Sequence, residues 1–272
     1  MMELSVDTPR GKSLAYAYTG GKGFDARLPC VVFIHGALHD HSVWTLLARW
    51  FAHHGWGVLA VDQPGHARSA GAPLDSVEQL ADWTLALLDA AGVRRAALVG
   101  HSMGSLIALE AAARAPERAT HLVMLGTAYP MKASQALLTT ARDDPQRAID
   151  MVTAFSHSTL APKPSYPGPG GWVPGGFRAL MQRVQAGQRG LNLFHHDFTQ
   201  CDAYANGLQA AARVACPASL VVGERDQMTT PRQAREIAEA LKARVISVPA
   251  GHDLMAEAPE ATLAALRQVL GS

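Results

Sequence analysis

The sequence predicts an α/β fold: a mostly parallel central sheet with flanking helices, an N-terminal antiparallel hairpin and an inserted helical cap. Three observations lead there. Short apolar runs recur along the chain, at Val31–Ile34, Val58–Val61, Ala96–Val99, Leu122–Leu125, Leu220–Val222 and Val245–Val248, and unbroken apolarity over such a length fits strands covered on both faces. Helical patterns separate most of these runs, and strands alternating with helices form a parallel sheet with crossover connections. One long interruption, from about residue 128 to 200, breaks the alternation.

Taken in order, residues 4–20 alternate, turn at Pro9-Arg10-Gly11 and resume at Ser13, the grammar of a hairpin. Beyond the second apolar run, the spacing of Val77, Leu80, Ala81, Thr84, Leu85 and Leu88 predicts a helix starting near Asp75. Leu106, Ile107, Leu109 and Ala111 predict another immediately after the third run, and Ala234, Ile237, Ala238 and Leu241 a further one starting at Thr230-Pro231. Within the interruption, Ala161–Trp172 is rich in Pro and Gly. A solvated linker is one reading of it; Tyr166, Trp172, Phe177 and Phe194 are more apolar than linkers usually are and favour a cap over the C-terminal edge of the sheet. The expected division is a core of residues 1–127 and 201–272 and a cap of residues 128–200, without internal repeats.

Composition narrows the function. With 272 residues, 48% of them hydrophobic and 17% charged, the chain can bury roughly three quarters of its unfolded surface, which excludes intrinsic disorder. Twenty-four Lys and Arg against 23 Asp and Glu leave no basic excess for nucleic acid, so the expected partner is a small molecule. Cys30, Cys201 and Cys216 lack C-x-x-C spacing, so neither a disulfide framework nor a zinc site is expected, and the thiols fit a reducing compartment. No run of 18 apolar residues occurs, and the opening MMELSVDTPRGK has no apolar core; the expected location is cytoplasmic, with no membrane partner.

The most informative segment is Gly100-His101-Ser102-Met103-Gly104, directly after one apolar run and directly before a helical pattern. As a bare pattern, G-x-S-x-G is weakly specific; its context raises it. A serine at a sharp strand-to-helix turn is held in a strained backbone with its hydroxyl pushed outward, and glycines two positions either side relieve the crowding. A hydroxyl at its resting pKa needs a neutral imidazole to take its proton and a third group to orient that imidazole. Asp226, just past the run ending at Val222, and His252, just past the run ending at Val248, follow strands whose C-terminal loops converge at one sheet edge. Other readings compete: Asp226 as a cap of the helix near Pro231, Glu224 as the acid, His252 as an ordinary loop histidine. Asp253 adjoins His252 and reads as a cap or surface acid.

Acyl transfer also needs donors aimed at the developing oxyanion. The Met103 N–H comes with the turn itself. A second is expected from Ala37, in the loop His35-Gly36-Ala37-Leu38, with His35 holding that loop by a structural hydrogen bond. Leu38, His195, His196 and Phe198 are expected to line the substrate pocket, the last three at the cap's return to the core. His39-x-His41, His53-His54 and His195-His196-Asp197 invite a metal reading, but none is matched by a second ligand cluster. No metal and no cofactor are expected, and neither a P-loop nor a dinucleotide-binding glycine pattern is present.

These residues resemble the α/β-hydrolase superfamily over nearly the whole chain except the cap. His35-Gly36-Ala37-Leu38 with Trp44 is similar to the oxyanion loop of its small bacterial serine esterases and cofactor-free haloperoxidase relatives, and Asp62-Gln63-Pro64-Gly65-His66-Ala67-Arg68-Ser69 to the family's D-x-x-G-x-G-x-S turn. Two positions depart: Ala67 stands where glycine is usual, and Gly104-Ser105 replaces a frequent double glycine. The resemblance implies the α/β-hydrolase fold, Ser102 as nucleophile, His252 as base, Asp226 as orienting acid, and Ala37 and Met103 as oxyanion donors. Relatives that open epoxides or displace halide carry a carboxylate at the position of Ser102, which disfavours those reactions. The expected activity is cleavage of a carboxylic ester of a small or medium apolar substrate through an acyl-enzyme. The alternatives are a carbon–carbon bond hydrolase, favoured by a cap cation such as Arg178 or Arg189 facing a substrate carboxylate, a lactonase, and a binding module that retains the triad without turnover.

Overall fold

The computed structural model describes residues 1–8, 11–161, 171–187 and 190–271. Pro9 and Arg10 of the expected hairpin turn, most of the Pro/Gly-rich stretch with Tyr166, and Arg189 lie outside them. Eight strands, β1 (Met2–Thr8), β2 (Gly11–Tyr18), β3 (Cys30–Ile34), β4 (Gly57–Val61), β5 (Ala96–His101), β6 (Ala119–Leu125), β7 (Ala218–Gly223) and β8 (Arg244–Val248), form one sheet in the order β1-β2-β4-β3-β5-β6-β7-β8. The hairpin β1–β2 is antiparallel and joins β4 antiparallel; every pairing from β4 through β8 is parallel.

The helices are α1 (Thr45–His53), α2 (Val77–Ala90), α3 (Met103–Arg114), α4 (Gln135–Asp143), α5 (Pro145–Ser156), α6 (Val173–Gly187), α7 (Leu193–Ala203), α8 (Gly207–Ala211), α9 (Arg235–Ala240), α10 (Leu254–Glu257) and α11 (Pro259–Leu270). The period of two along each strand divides the core between the two faces. Val32 and Ile34 pack with Leu80, Leu106 and Ile237 of α2, α3 and α9, while Val31 and Phe33 pack with Leu47, Phe51 and Leu266 of α1 and α11. Because both faces are covered, the central strands carry no polar alternation.

Two local expectations are corrected. The run Val245–Val248 is not covered on both faces: β8 is the sheet's edge, exposed at Arg244, Val245 and Ser247. The helix expected from Thr230-Pro231 begins as α9 only at Arg235. Helix α2 starts close to Asp75, as expected, at Val77, and its cap is Ser76, whose hydroxyl accepts the Gln79 N–H.

Helices α4 to α7 are inserted between β6 and β7 and make a third apolar cluster in which Leu137, Ile149, Phe177, Met181 and Phe194 pack with Leu38 from the loop after β3, and Met228, after β7, packs against it. Residue 200, the expected end of the cap, falls inside α7, which ends at Ala203.

Candidate active site

The chain runs from β3 outward to β4 and then crosses back, so that β5 lies on the opposite side of β3. At such a reversal the loops leaving the two neighbouring strands part and open a crevice at their C-terminal ends. Here those loops carry Gly36 and Ala37 after β3 and Ser102 after β5. Strands β7 and β8 end at the same edge and deliver Asp226 and His252.

Ser102 has φ 52° and ψ −121°, a left-handed conformation that L-residues adopt only under constraint. The constraint is visible on both sides of it. Its N–H donates to Leu125 O (2.9 Å), and α3 begins at the next residue. A Cβ on Gly100 would overlap the Gly104 carbonyl, and one on Gly104 would overlap the Ile34 carbonyl, so the crossing of α3 over β3 is open only to glycine at both places. Ser105, in place of a second glycine, donates through its hydroxyl to Ser102 O (2.6 Å) and approaches Thr127 Oγ1 (2.7 Å). Ala67, the other departure from the family pattern, is exposed and takes φ 42°.

His252 Nδ1 lies 2.8 Å from Asp226 Oδ2, both side chains almost fully buried. The bond places the proton on Nδ1 and leaves the lone pair on Nε2. Asp226 is fixed in turn: Oδ1 accepts the N–H groups of Met228 and Thr229 (2.8 Å each), and Oδ2 accepts the Thr229 hydroxyl (2.8 Å). Asp226 therefore shapes its own turn as well as facing the imidazole, while Glu224 is exposed. Burial alone would raise the Asp226 carboxyl; the His252 ring and the Thr229 donors outweigh it and hold the group below its ordinary range. Among the described residues the ring's hydrogen-bond contacts are at Nδ1, and none joins Ser102 to Nε2, a contact that in resting sites often tightens only around substrate.

The backbone of His252 is held by two residues absent from the sequence argument. Its N–H donates to Ser156 O at the end of cap helix α5 (2.8 Å), and its carbonyl accepts from His101 Nε2 (2.9 Å). His101 is the variable residue of G-x-S-x-G, which the pattern ignores; its ring is buried beneath the site, and among the described residues Nδ1 has no hydrogen-bond partner. Burial, reinforced by His252 and His39, lowers its pKa to about 3. Between about 6.5 and about 3, unfolded chains bind a proton at this position and folded ones do not, so acid favours unfolding through that window and the effect is absent above it. Urea unfolding from pH 7 to 4 is expected to show a wild-type stability that falls more steeply with acid than that of His101→Gln, by up to about tenfold in the unfolding constant per pH unit. Parallel pH dependences would refute the assignment. Asp253, expected as a cap or surface acid, is buried, its carboxylate 3.5 Å from His157 of the cap.

In the loop after β3, His35 Nδ1 donates to Gly36 O (2.8 Å) and its Nε2 accepts the Gln63 N–H (3.1 Å), the structural role expected of it. His39 Nδ1 donates to Ala37 O (2.6 Å), and Leu38 N–H donates to Asp197 Oδ2 (2.8 Å). These bonds occupy Gly36 O, Ala37 O and the Leu38 N–H on either side of the Ala37 N–H; among the described residues that N–H meets no protein acceptor. The Met103 N–H is the first of α3 and has no partner within the helix.

A cavity of about 320 Å³ opens over Ser102 and His252, within the range of small-molecule sites. Gly36, Ala37, His39 and His101 form its floor, and its walls are largely apolar, with Met131, Leu137, Met151, Val152, Phe155, Phe177 and Phe198. Of the four residues expected to line it, Phe198 does. Leu38 does not, because φ 54° turns its side chain into the cap's own core. His195 and His196 do not either: they lie on the other side of α7, where His196 Nε2 donates to Leu74 O (2.9 Å). Arg178 pairs with Asp150 away from the cavity (2.5 Å); among the described residues, the Lys or Arg that lines it is Lys132. Asp40, His41 and Asp62 bring ligand-type atoms within 4.8 Å of one another, but Ser42, Arg183, His41 and Arg68 already donate to the carboxylate oxygens. This is a capping cluster. Cys30 and Cys201 are buried and Cys216 half-buried, all as free thiols. No helix among the described residues is long and apolar enough to cross a membrane.

Residues 29–167 match the sequence model of a family described as alpha/beta hydrolase fold. Among curated relatives, the chain is 36% identical over 99 residues to a putative non-heme haloperoxidase of a Mycobacterium phage, a match covering 36% of each protein, so about a third of that relative's length. It is 24% identical over 220 residues, 78% of each chain, to an (E)-2-((N-methylformamido)methylene)succinate hydrolase of Acinetobacter baylyi. Among solved structures, an enol-lactonase from Burkholderia xenovorans superposes with a TM-score of 0.79 at 23% identity, covering 96% of this chain and 97% of that one. An esterase from Exiguobacterium antarcticum superposes with a TM-score of 0.82 at 16% identity over 100% of both.

Proposed function

The chain belongs to the alpha/beta hydrolase family, and from that premise we propose that it is a serine hydrolase cleaving a carboxylic ester of a small or medium apolar substrate. The observation that carries the reading is one arrangement: Ser102 held at a strained turn on the floor of an apolar cavity, beside a His252 ring whose Nδ1 is engaged by buried Asp226. In the proposed reaction Ser102 Oγ attacks the ester carbonyl while His252 Nε2 takes its proton. The oxyanion forms against the N–H groups of Ala37 and Met103, each worth about 3 kcal/mol in the transition state. Collapse expels the alcohol, which receives the proton from His252, and water repeats the sequence on the acyl-enzyme. Asp226 stabilises the imidazolium and fixes its tautomer.

Lys132 favours a second reading. It lines the cavity; its ammonium donates to Asp202 O and lies 3.9 Å from the Asp202 carboxylate, and an acidic substrate that displaced this pairing would suit a lactonase or a carbon–carbon bond hydrolase using the same triad.

A fluorophosphonate needs only an activated serine, so it tests both readings before any substrate is known. A single adduct mapping to Ser102 is expected, followed by turnover in a panel of short aryl esters, lactones and a ring-fission diketone. Folded protein that takes no label would move the binding-module reading to the front.

A further inference from the structure

The loop that carries Ala37 is gripped from the cap. Asp197, in α7, is 2% exposed, and one oxygen of its carboxylate receives two donors from the core: the Leu38 N–H at 2.8 Å and His66 Nε2 at 2.9 Å. His66 faces acceptors at both nitrogens, with Pro64 O 3.2 Å from Nδ1, a pattern that only the doubly protonated ring satisfies. Burial opposes that charge; Asp197 overcomes it and raises the pKa of His66. The His66 ring packs against His35 with centroids 5.0 Å apart, and His35 holds Gly36 O. One cap carboxylate thus meets both ends of the tripeptide Gly36-Ala37-Leu38: directly at the Leu38 N–H, and through His66 and His35 at the Gly36 carbonyl.

The backbone needs that grip. Leu38 sits at φ 54°, a conformation a leucine keeps only where its surroundings impose it, and its side chain is seated in the cap cluster beside Phe177 and Phe194. Gly36 O, Ala37 O and the Leu38 N–H are all engaged, whereas the N–H of Ala37, a residue that lines the cavity, has no acceptor among the described residues.

We propose that Asp197 is a positioning residue for the oxyanion loop, aiming the Ala37 N–H from the cap through its bonds to Leu38 and His66. The inference rests on the serine-hydrolase reading, in which that N–H stabilises the oxyanion. It makes α7 part of the catalytic framework and not only a roof over the substrate.

The test compares full-length wild type with Asp197→Ala, Asp197→Asn and Asp197→Glu on a short aryl ester. It also measures the inhibition constants of an aryl trifluoromethyl ketone, which forms an oxyanion on a nucleophilic serine, and of the corresponding alcohol, which does not. Asp197→Ala is expected to lower kcat at least tenfold with KM within about twofold, and to weaken the ketone by a similar factor while leaving the alcohol unchanged. Asp197→Asn keeps an acceptor oxygen in place and should recover most of the loss. Asp197→Glu keeps the charge but displaces the acceptor by one methylene, so it should lose the ketone selectively even if the alanine variant does not fold. Asn192→Ala, which removes the cap of α7 without reaching the loop, should lower the melting temperature at unchanged kcat. Ketone and alcohol weakened together, or ketone affinity unchanged in the glutamate and alanine variants, would overturn the inference. A wild-type ketone no tighter than the alcohol would instead overturn the serine-hydrolase reading beneath it.

Discussion

Ser102→Ala is expected to reduce kcat for ester hydrolysis by on the order of a million-fold while the protein stays folded, with a melting temperature within a few degrees of wild type. Both halves follow from the geometry. The hydroxyl is the proposed attacking group, and two other lining groups are poorly placed to replace it: the Thr229 hydroxyl lies on the Nδ1 side of His252 and donates to Asp226, and burial holds the Cys201 thiol protonated. The fold should not register the loss, because the turn is held by the Ser102 backbone, through Leu125 O and Ser105, and by the two glycines under it. Steady-state kinetics beside a thermal melt measure the two halves separately. A folded alanine variant with activity within tenfold of wild type would refute the assignment. Loss of fold would instead show that the hydroxyl stabilises the turn in a way the hydrogen bonds do not reveal.

How much of this arrangement could be read from the chain depended on how local its causes are. The central strands were legible because burial on both faces forbids polar residues, and the convergence of Ser102, Asp226 and His252 because parallel strands deliver successive loops to one edge. The β8 edge was not, since apolar composition alone does not separate a central strand from a border one; Arg244 and Ser247 were the available signal. On α7, Phe194, Asp197, Phe198 and Cys201 follow an i, i+3, i+4, i+7 spacing that marks the inward face, and applying it would have set His195 and His196 aside from the pocket. His101 and Asp197 escaped for a different reason. His101 meets His252 across 151 positions and Asp197 meets Leu38 across 159, and no local pattern encodes such partners. The orphan Nδ1 of His101 and the φ of Leu38 exist only in the fold.

Asp226→Asn is expected to lower kcat by about 10⁴-fold at nearly constant KM, with little loss of stability. Replacing one carboxylate oxygen by an amide is almost isosteric, so in many settings the side chain could flip to present its remaining oxygen to the imidazole. Here the flip is blocked. Oδ1 accepts two backbone N–H groups, from Met228 and Thr229, and an NH₂ in that place would set donors against donors. The amide nitrogen must therefore occupy the position of Oδ2, 2.8 Å from His252 Nδ1, where it donates to the ring. His252 then carries its lone pair on Nδ1 and its proton on Nε2, the nitrogen that should take the proton of Ser102, and the base is lost while its position is kept. Thr229 reinforces the outcome, because its hydroxyl can turn from donor to acceptor and satisfy the second amide hydrogen. Asp226→Ala makes the contrast: it leaves the buried Thr229 N–H and the half-buried Met228 N–H without their acceptor and should cost about 1–3 kcal/mol of stability for the buried one, with less for the other. Fluorophosphonate labelling rates, kcat and melting temperatures for the two variants separate a tautomer effect from a folding effect. An asparagine variant that retains activity within tenfold of wild type would mean that His252 does not depend on Asp226 for its tautomer, and the proposed triad would fail at its third member.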